Sequence, residues 1–458
     1  MKKLRKLSAL VVASAMVIGS LSGCGDSNKP TTGKVTPTAS AEEGDNGDNK
    51  KTPEQLATKE NPLDVKLTIW GPAEEQNTKG NYTNEGGLQG YMCEKFNEAH
   101  PEWNIKFEYK AVSESTCATE LQKDAEAAAD VFMFVSDQIG KLTNAGVLNP
   151  ISDVYGGEQV KKEQAKNAIA SATVHNKEVD KDLLYGVPFT PNSWFMFYDT
   201  SKYTEEEVKS LETMMAKKLD KGVYNFSVEL DDAWYNSSFF LTAGCTLFGP
   251  DGTDGTACDF DNANGVEAAK YMMYLNKEGK KNTFLEASDK NYITYFAQGK
   301  LGAACSGSWD TAKIKEALGE NFGAAKLPTI KINGEDKQMV NFSNYKLIGV
   351  NANTDYPMIC TELAAYLGGA ECQQLRFDER FVGPTIDSLA QGDDVDPSVK
   401  ASLEQCAVAA QQPSIAEMSN FWEPAKAIGT GIMAGDITEA NIQDKLESFV
   451  TNLTTTLN

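Results

Sequence analysis

The sequence predicts an α/β protein of two domains behind a non-globular N-terminal stretch, and three observations carry that prediction. Strand-like runs alternate with helix-period segments from about Leu63 onward. Val131-Phe-Met-Phe-Val135 is an unbroken apolar run of the kind found in a parallel strand covered on both faces. The chain from Leu63 to Asn458 is longer than one ordinary core fills.

The N-terminus comes first. Lys2, Lys3, Arg5 and Lys6 form a positive segment, and Leu7 to Leu21 is apolar but too short to span a bilayer comfortably. Leu21-Ser22-Gly23-Cys24 resembles the lipobox of bacterial lipoproteins. That resemblance implies a signal peptide over residues 1–23, lipid on the Cys24 sulfur, and a protein held at the outer face of a bacterial cell membrane. Residues 24–61 are rich in Gly, Ser, Thr, Asn, Asp, Lys and Pro and cannot bury enough surface to fold. They are expected to be a disordered tether of roughly 36 residues, with a reach on the order of 30 to 36 Å.

Along the folded part, Lys66–Trp70 reads as a strand, Gly87–Ala99 as a helix, and Ile105, Phe107 and Tyr109 as an alternating strand. An Ala-rich helix is expected over about Cys117–Ala129, then the buried strand Val131–Val135 and a helix from about Gln138 to Ala145, stopped at Gly146. Tyr185–Phe189 and Trp194–Tyr198 are strand-like, with Thr190-Pro-Asn-Ser193 as an interdomain crossing. Thr204 and Glu207 form a capping box. Further helices are expected at about 262–277, 289–297, 311–318, 357–367, 396–410, 418–433 and 439–453, with strands at Leu301–Cys305 and Tyr345–Val350. No repeat of 20 to 50 residues is visible, which argues against a solenoid or propeller.

Composition narrows the function. The 43 basic and 65 acidic residues give a net charge of −22, which becomes −26 when the four basic residues of the signal leave with it. Nucleic acid is therefore not an expected partner. His100 and His175 are the two histidines, too few for a histidine metal site or a His-dependent triad. Eight cysteines follow Cys24, and none forms a C-x-x-C pair. Cys245 and Cys258 flank a turn-rich segment as opposite positions in a hairpin would, so a disulfide and two free thiols are both compatible with the sequence. The other six lie in apolar runs and read as small buried hydrophobes. No G-x-S-x-G elbow, P-loop or H-E-x-x-H motif is present, and the segments at Asp251 and Asp259 lack calcium-loop spacing. Neither metal nor cofactor is expected.

Ligands of open α/β sheets bind beyond the carboxyl ends of the strands. The loops there carry Glu74 and Glu75 after the first strand, Asp137 and Gln138 after Val135, and Trp309 after Leu301–Cys305. Aromatic rings stack on the C–H face of a sugar, and carboxylates and amides clamp its hydroxyls.

Several segments resemble the extracellular solute-binding proteins of ATP-driven sugar importers, most closely the maltose/maltodextrin-binding group. Lys66-Leu-Thr-Ile-Trp70-Gly is similar to that family's opening strand, and Asp130–Gln138 to its aromatic-x-x-acid ligand loop. Phe296–Trp309 is similar to its helix, strand and sugar-stacking tryptophan, and Pro413–Trp422 to its Pro-x-Met-x-x-Phe-Trp signature. The resemblance implies a two-lobed, periplasmic-binding-protein-like α/β fold of the maltose-binding type, with hinge crossings and a cleft between the lobes. One lobe is expected from residues 62–190 plus 327–375 and the other from 191–326 plus 376–458. It further implies an aromatic platform of Trp234, Trp309 and Trp422 with Phe134 as a wall. Glu74, Glu75, Glu114, Asp137, Asn192 and Asp232 would hold hydroxyls, with Gln138 beside them and Lys426 at the far end of the ligand. Four positions depart from the family pattern: Asn192 replaces an acid, Gln138 a base, Phe134 a tryptophan and Glu423 an aromatic. The implied partners are an oligosaccharide, with malto-oligosaccharides first and xylo- or manno-oligosaccharides as alternatives, and the transmembrane subunits of an ABC permease. The protein is expected to be a monomer and not an enzyme. A cell-surface glycoside hydrolase, which needs only two carboxylates, and a binder of amino acids, polyamines or metal are the rival readings.

Overall fold

The computed structural model describes residues 51–78, 81–279, 281, 283–287, 291–390 and 395–455. The signal, Cys24 and the tether through Lys50 lie outside the described residues. Among the described residues no helix is long and apolar enough to cross a membrane.

Two mixed sheets organise the body. Numbered along the chain, the strands are β1 (Leu63–Gly71), β2 (Trp103–Ala111), β3 (Val131–Val135), β4 (Leu148–Asn149), β5 (Thr173–Asn176), β6 (Lys181–Leu184), β7 (Val187–Asn192), β8 (Trp194–Asp199), β9 (Tyr224–Val228), β10 (Phe284–Glu286), β11 (Leu301–Gly307), β12 (Phe322–Ala325), β13 (Thr329–Ile332), β14 (Glu335–Gln338), β15 (Phe342–Asn351) and β16 (Ala410–Gln411). The first sheet has the order β16-β15-β3-β1-β2, with β4 and β7 also paired to β15; the second has the order β10-β9-β11-β8-β12. Each sheet has a parallel trio, β3-β1-β2 in one and β10-β9-β11 in the other, closed by an antiparallel strand, β15 or β8. The parallel strands carry their connecting helices on the sheet faces, which explains why Val131–Val135 is buried at every residue.

The second sheet shows the same double cover. Along β8, Trp194, Met196 and Tyr198 enter one core while the alternate residues Phe195 and Phe197 enter another. The first sheet has its own core around Leu67, Ile69, Phe132, Phe134 and Ile348. Two halves with separate interiors result, and the family-like two-lobed α/β class expected above is the one observed.

Chain passages between the halves differ from the expected places. The chain leaves the first sheet after Asn192 and enters the second at Trp194; it returns at Asn341–Phe342. These two passages are tied side by side, since Asn341 Nδ2 donates to Ser193 Oγ (3.0 Å) and to Trp194 O (2.7 Å). Residue 327 is thus no boundary: Leu327, Ile330, Ile332 and Met339 all pack in the second half's core through the β13–β14 hairpin. Asn333 and Gly334 take positive φ at 53° and 81°, the two-residue turn that Asn-Gly favours. Residue 375 is no boundary either. Helix Ala370–Arg380 stays with the first half, held by Arg376 and by Gln373, whose Oε1 accepts from Thr385 N and Ile386 N. The next passage falls between Ile386 and helix Pro397–Cys406, whose Ala401 packs on the second sheet.

Three other expectations change. Residues 52–61 are not all tether: Thr52 caps a helical turn over Pro53–Leu56, and the buried Glu54 accepts from Ile359 N at 3.0 Å. The Ala-rich helix ends at Lys123, because Asp124 turns the chain by accepting from Ala127 N, while Asn351 Nδ2 takes the carbonyls of Ala125 and Ala129. Cys245 and Cys258 are free thiols. The strand bridge there pairs Leu247 with Cys258, so Cys245 lies two residues out of register with its expected partner.

Candidate functional site

The polar groups of the first half stand at the ends of its strands. Glu114 follows β2; Asp137 and Gln138 form a short turn, Ser136–Gln138, directly after β3; Asn192 ends β7. Glu114 is nearly buried and pairs with Lys346 Nζ at 2.9 Å. Gln138 binds backbone at both ends of its amide, donating to Glu114 O (2.7 Å) and accepting from Ala118 N (2.9 Å). These bonds lock the Glu114 loop beside the Asp137 turn.

Asp137 is half-buried, but its Oδ1 is closed from solvent and lacks an aligned hydrogen bond. Burial pushes its pKa up to about 7, against the nearby amide of Gln412, which lowers it. Gln412 itself is 3% exposed, and its Nε2 likewise lacks an aligned partner. Behind it runs a chain of amides: Asn344 Nδ2 donates to Gln412 Oε1, and Asn192 Nδ2 donates to Asn344 Oδ1 at 2.7 Å. Asn192 therefore acts within the passage between the halves.

Two residues expected at the ligand are interior instead. Glu75 is 0% exposed; its Oε1 accepts from Arg376 Nε (2.7 Å) and Arg380 NH1 (2.8 Å) and its Oε2 from Arg376 NH2 (3.2 Å). Burial alone would raise its pKa, but the charges of Arg376 and Arg380 outweigh it and hold the carboxyl below its usual range. Phe134 is fully buried in the first half's core against Phe132, on the inward face of β3. All five residues of β3 are buried, so neither face of this strand offers a wall to a ligand. Glu74, beside Glu75, is exposed and lies 3.5 Å from Arg380 NH2.

The second half supplies rings. Trp309 follows β11 in the turn Ser308–Asp310; buried Asp310 fixes that turn by accepting from Tyr292 OH (2.7 Å) and Ser306 Oγ (2.9 Å). Gly307 makes room, because a Cβ there would stand 2.2 Å from the Trp309 ring. Trp234 opens helix Ala233–Ala243, capped by Asp232, which accepts from Trp234 N at 2.7 Å. Trp422 opens helix Trp422–Ala434. Trp234 and Trp422 are half-buried with ring centroids 6.3 Å apart at 57°. Their separation is set behind them by Asn236, whose Nδ2 donates to Leu230 O and Ala425 O, and by Gly429, where a Cβ would collide with Leu230 O at 1.8 Å. Lys426 is exposed one turn beyond Trp422 on the same helix.

One cation meets both sets. Lys346, on β15 of the first sheet, pairs with Glu114 and lies 5.9 Å from the centroid of the Trp309 ring. Lys346, Asn344 and Gln412 were not anticipated from sequence; the available signal was a lysine inside the otherwise strand-like run Tyr345–Val350. Among the described residues no cluster of three or more His, Cys, Asp or Glu is placed to hold a metal ion.

Two halves are joined by paired passages, one half carrying rings and the other carboxylates at the ends of its strands, and comparison with known proteins gives the family. The family of bacterial extracellular solute-binding proteins matches residues 91–402. This chain belongs to that family. Among solute-binding relatives, it is 26% identical over 387 residues to the galactooligosaccharide-binding protein of Bacillus subtilis, covering 81% of this chain and 85% of that protein. It is 26% identical over 339 residues to the maltodextrin-binding protein MdxE of the same organism, covering 71% and 77%. A solved structure with acarbose is 34% identical, covers 85% of this chain and 98% of that one, and superposes with a TM-score of 0.75. The maltodextrin-binding protein MalE1 from L. casei BL23, solved without ligand, is 25% identical, with 85% and 99% coverage and a TM-score of 0.71.

Proposed function

We propose that this solute-binding protein captures an oligosaccharide, malto-oligosaccharides first, between its halves and delivers it to an ABC-type permease without making or breaking a bond. The observation that carries the reading is the set of half-buried rings, Trp234, Trp309 and Trp422, at strand and helix ends of one half, with Glu114 and Asp137 at the strand ends of the other. Rings take the apolar faces of successive sugars, and carboxylates accept from their hydroxyls. Ligand touching both halves favours their closed arrangement, a hinge transition. Likeness to a structure with acarbose and to a maltodextrin-binding protein supports α-linked glucose units. The Bacillus subtilis relative named for galacto-oligosaccharides, matched over 81% of this chain, supports a second reading in which the linkage is that of galacto-oligosaccharides.

Calorimetry and tryptophan fluorescence against maltose through maltopentaose and a galacto-oligosaccharide panel test both readings. Saturable binding to the first set selects malto-oligosaccharides, binding to the second selects the alternative, and no response to any sugar rejects the class. Reducing-end release from the bound sugar would instead show a hydrolase.

The anchor on Cys24 enters as a concentration device, keeping loaded protein within a tether's length of the permease. Cys24→Ser is expected to leave sugar binding in solution unchanged and to lower uptake by cells; equal loss of both would reject that division of labour.

A further inference from the structure

Lys346 is an unusual residue for the middle of a sheet. It lies on β15 between β3, where it pairs with Val135, and β7, where it pairs with Thr190, and it is only 9% exposed. A buried cation is costly unless paired, so its place needs a reason. Glu114 at 2.9 Å satisfies the charge but does not account for the position of the ammonium near a ring of the other half, 5.9 Å from the Trp309 centroid.

The backbone next to Lys346 is shaped as well. The register of β7 on β15 slips there, Lys346 pairing with Thr190 and Leu347 with Pro188, so Phe189 is the extra residue of a bulge. Bulges re-aim side chains beside functional sites. The Phe189 ring turns under the Arg376 guanidinium at 4.6 Å, in the same charged interior as Glu75, Arg376 and Arg380. The charge of Lys346 also bears on Glu75. An ammonium has three N–H donors, of which Glu114 Oε1 takes one.

We propose that Lys346 is a positioning residue that joins the halves at the ligand site, holding the Glu114 carboxylate from one side and the Trp309 ring from the other so that both address the same sugar unit. This rests on the oligosaccharide reading above and extends it to a residue outside the aromatic signature. A purely structural lysine would need Glu114 alone. A joining lysine needs Trp309 too, and the two roles separate experimentally.

The test uses the mature chain, maltotriose as probe, and three variants: Lys346→Met, Lys346→Arg, and Lys346→Met with Glu114→Gln. Lys346→Met leaves Glu114 buried without its partner and is expected to lower the melting temperature. The double variant removes both charges and is expected to recover most of that loss. Maltotriose affinity is expected to fall roughly tenfold or more in Lys346→Met, while Lys346→Arg, which keeps the cation, stays within about threefold of wild type. The emission of Trp309, taken as the difference between each protein and its Trp309→Phe counterpart without ligand, is expected to shift in Lys346→Met and not in Lys346→Arg. A Lys346→Met protein that binds maltotriose like wild type, or an unshifted Trp309 emission in Lys346→Met, overturns the proposal. Failure of the wild type to bind any oligosaccharide overturns the functional reading, and the ligand-free emission difference then still decides the Lys346–Trp309 contact on its own.

Discussion

The first half carries charges and amides at the ends of its strands, the second carries rings at strand and helix ends, and the two sets are held in place by different physics. Glu114 and Asn192 are set by partners far along the chain, Glu114 by Lys346 and Asn192 by Asn344. Beneath them, Glu75 is paired with Arg376, 301 residues away. Trp234, Trp309 and Trp422 stand instead at a helix cap, a turn after a strand and a helix start, with the spacing of Trp234 and Trp422 set by packing of Asn236 on Ala425 and of Gly429 on Leu230. A polar surface of this kind is rigid only while its network is complete, because a buried group that loses its partner keeps its desolvation cost. A ring on a helix end loses only its own contacts.

The largest test breaks the network. Glu75→Ala leaves Arg376 buried without its carboxylate and is expected to cost about 3 to 5 kcal/mol of stability, read by urea or thermal unfolding. An effect below about 1 kcal/mol would mean that the first half tolerates an open network as the second tolerates a lost ring. Next, Trp422→Ala removes a stacking surface and is expected to weaken oligosaccharide binding by about 1.5 to 3 kcal/mol, read by calorimetry, with a smaller effect on stability.

The pH dependence of Asp137 sharpens the comparison further. Its folded pKa, about 7, lies above the ordinary carboxylate value, so the folded protein holds this proton more tightly than the unfolded chain. Its contribution to stability is therefore full at acid pH and is lost as pH rises through about 7. Sugar hydroxyls that donate to the ionised carboxylate reverse the preference. Affinity is expected to rise between pH 6 and pH 8 with proton release on binding, measured by calorimetry in buffers of different ionisation enthalpy, and Asp137→Asn is expected to flatten both trends. The smallest effect belongs to Glu74→Gln, which removes an exposed ion pair with Arg380 and is expected to change stability by no more than about 0.5 kcal/mol.

What was legible in sequence follows the same division. The strand Val131–Val135, the helix Gly87–Ala99 and the strand carrying Trp194 show themselves by periodicity over a few residues. The Asn333-Gly334 turn was equally local, and weighing it would have kept residues 327–341 with the second half. Glu75 and Glu74 are adjacent and chemically alike, yet one is wholly buried and the other exposed. Nothing within several residues of either distinguishes them.

By itself, then, the sequence determined the α/β alternation, the apolar strands and the aromatic signature, because a short segment's periodicity and turn chemistry dictate them. Tertiary structure decided which acids are buried and which exposed, where the chain passes between halves, that Cys245 and Cys258 miss each other's register, and that Lys346 reaches Glu114 and Trp309. With 65 acidic and 43 basic residues in the chain, a very large number of pairings is available, and only the fold brings particular ones within a few ångströms.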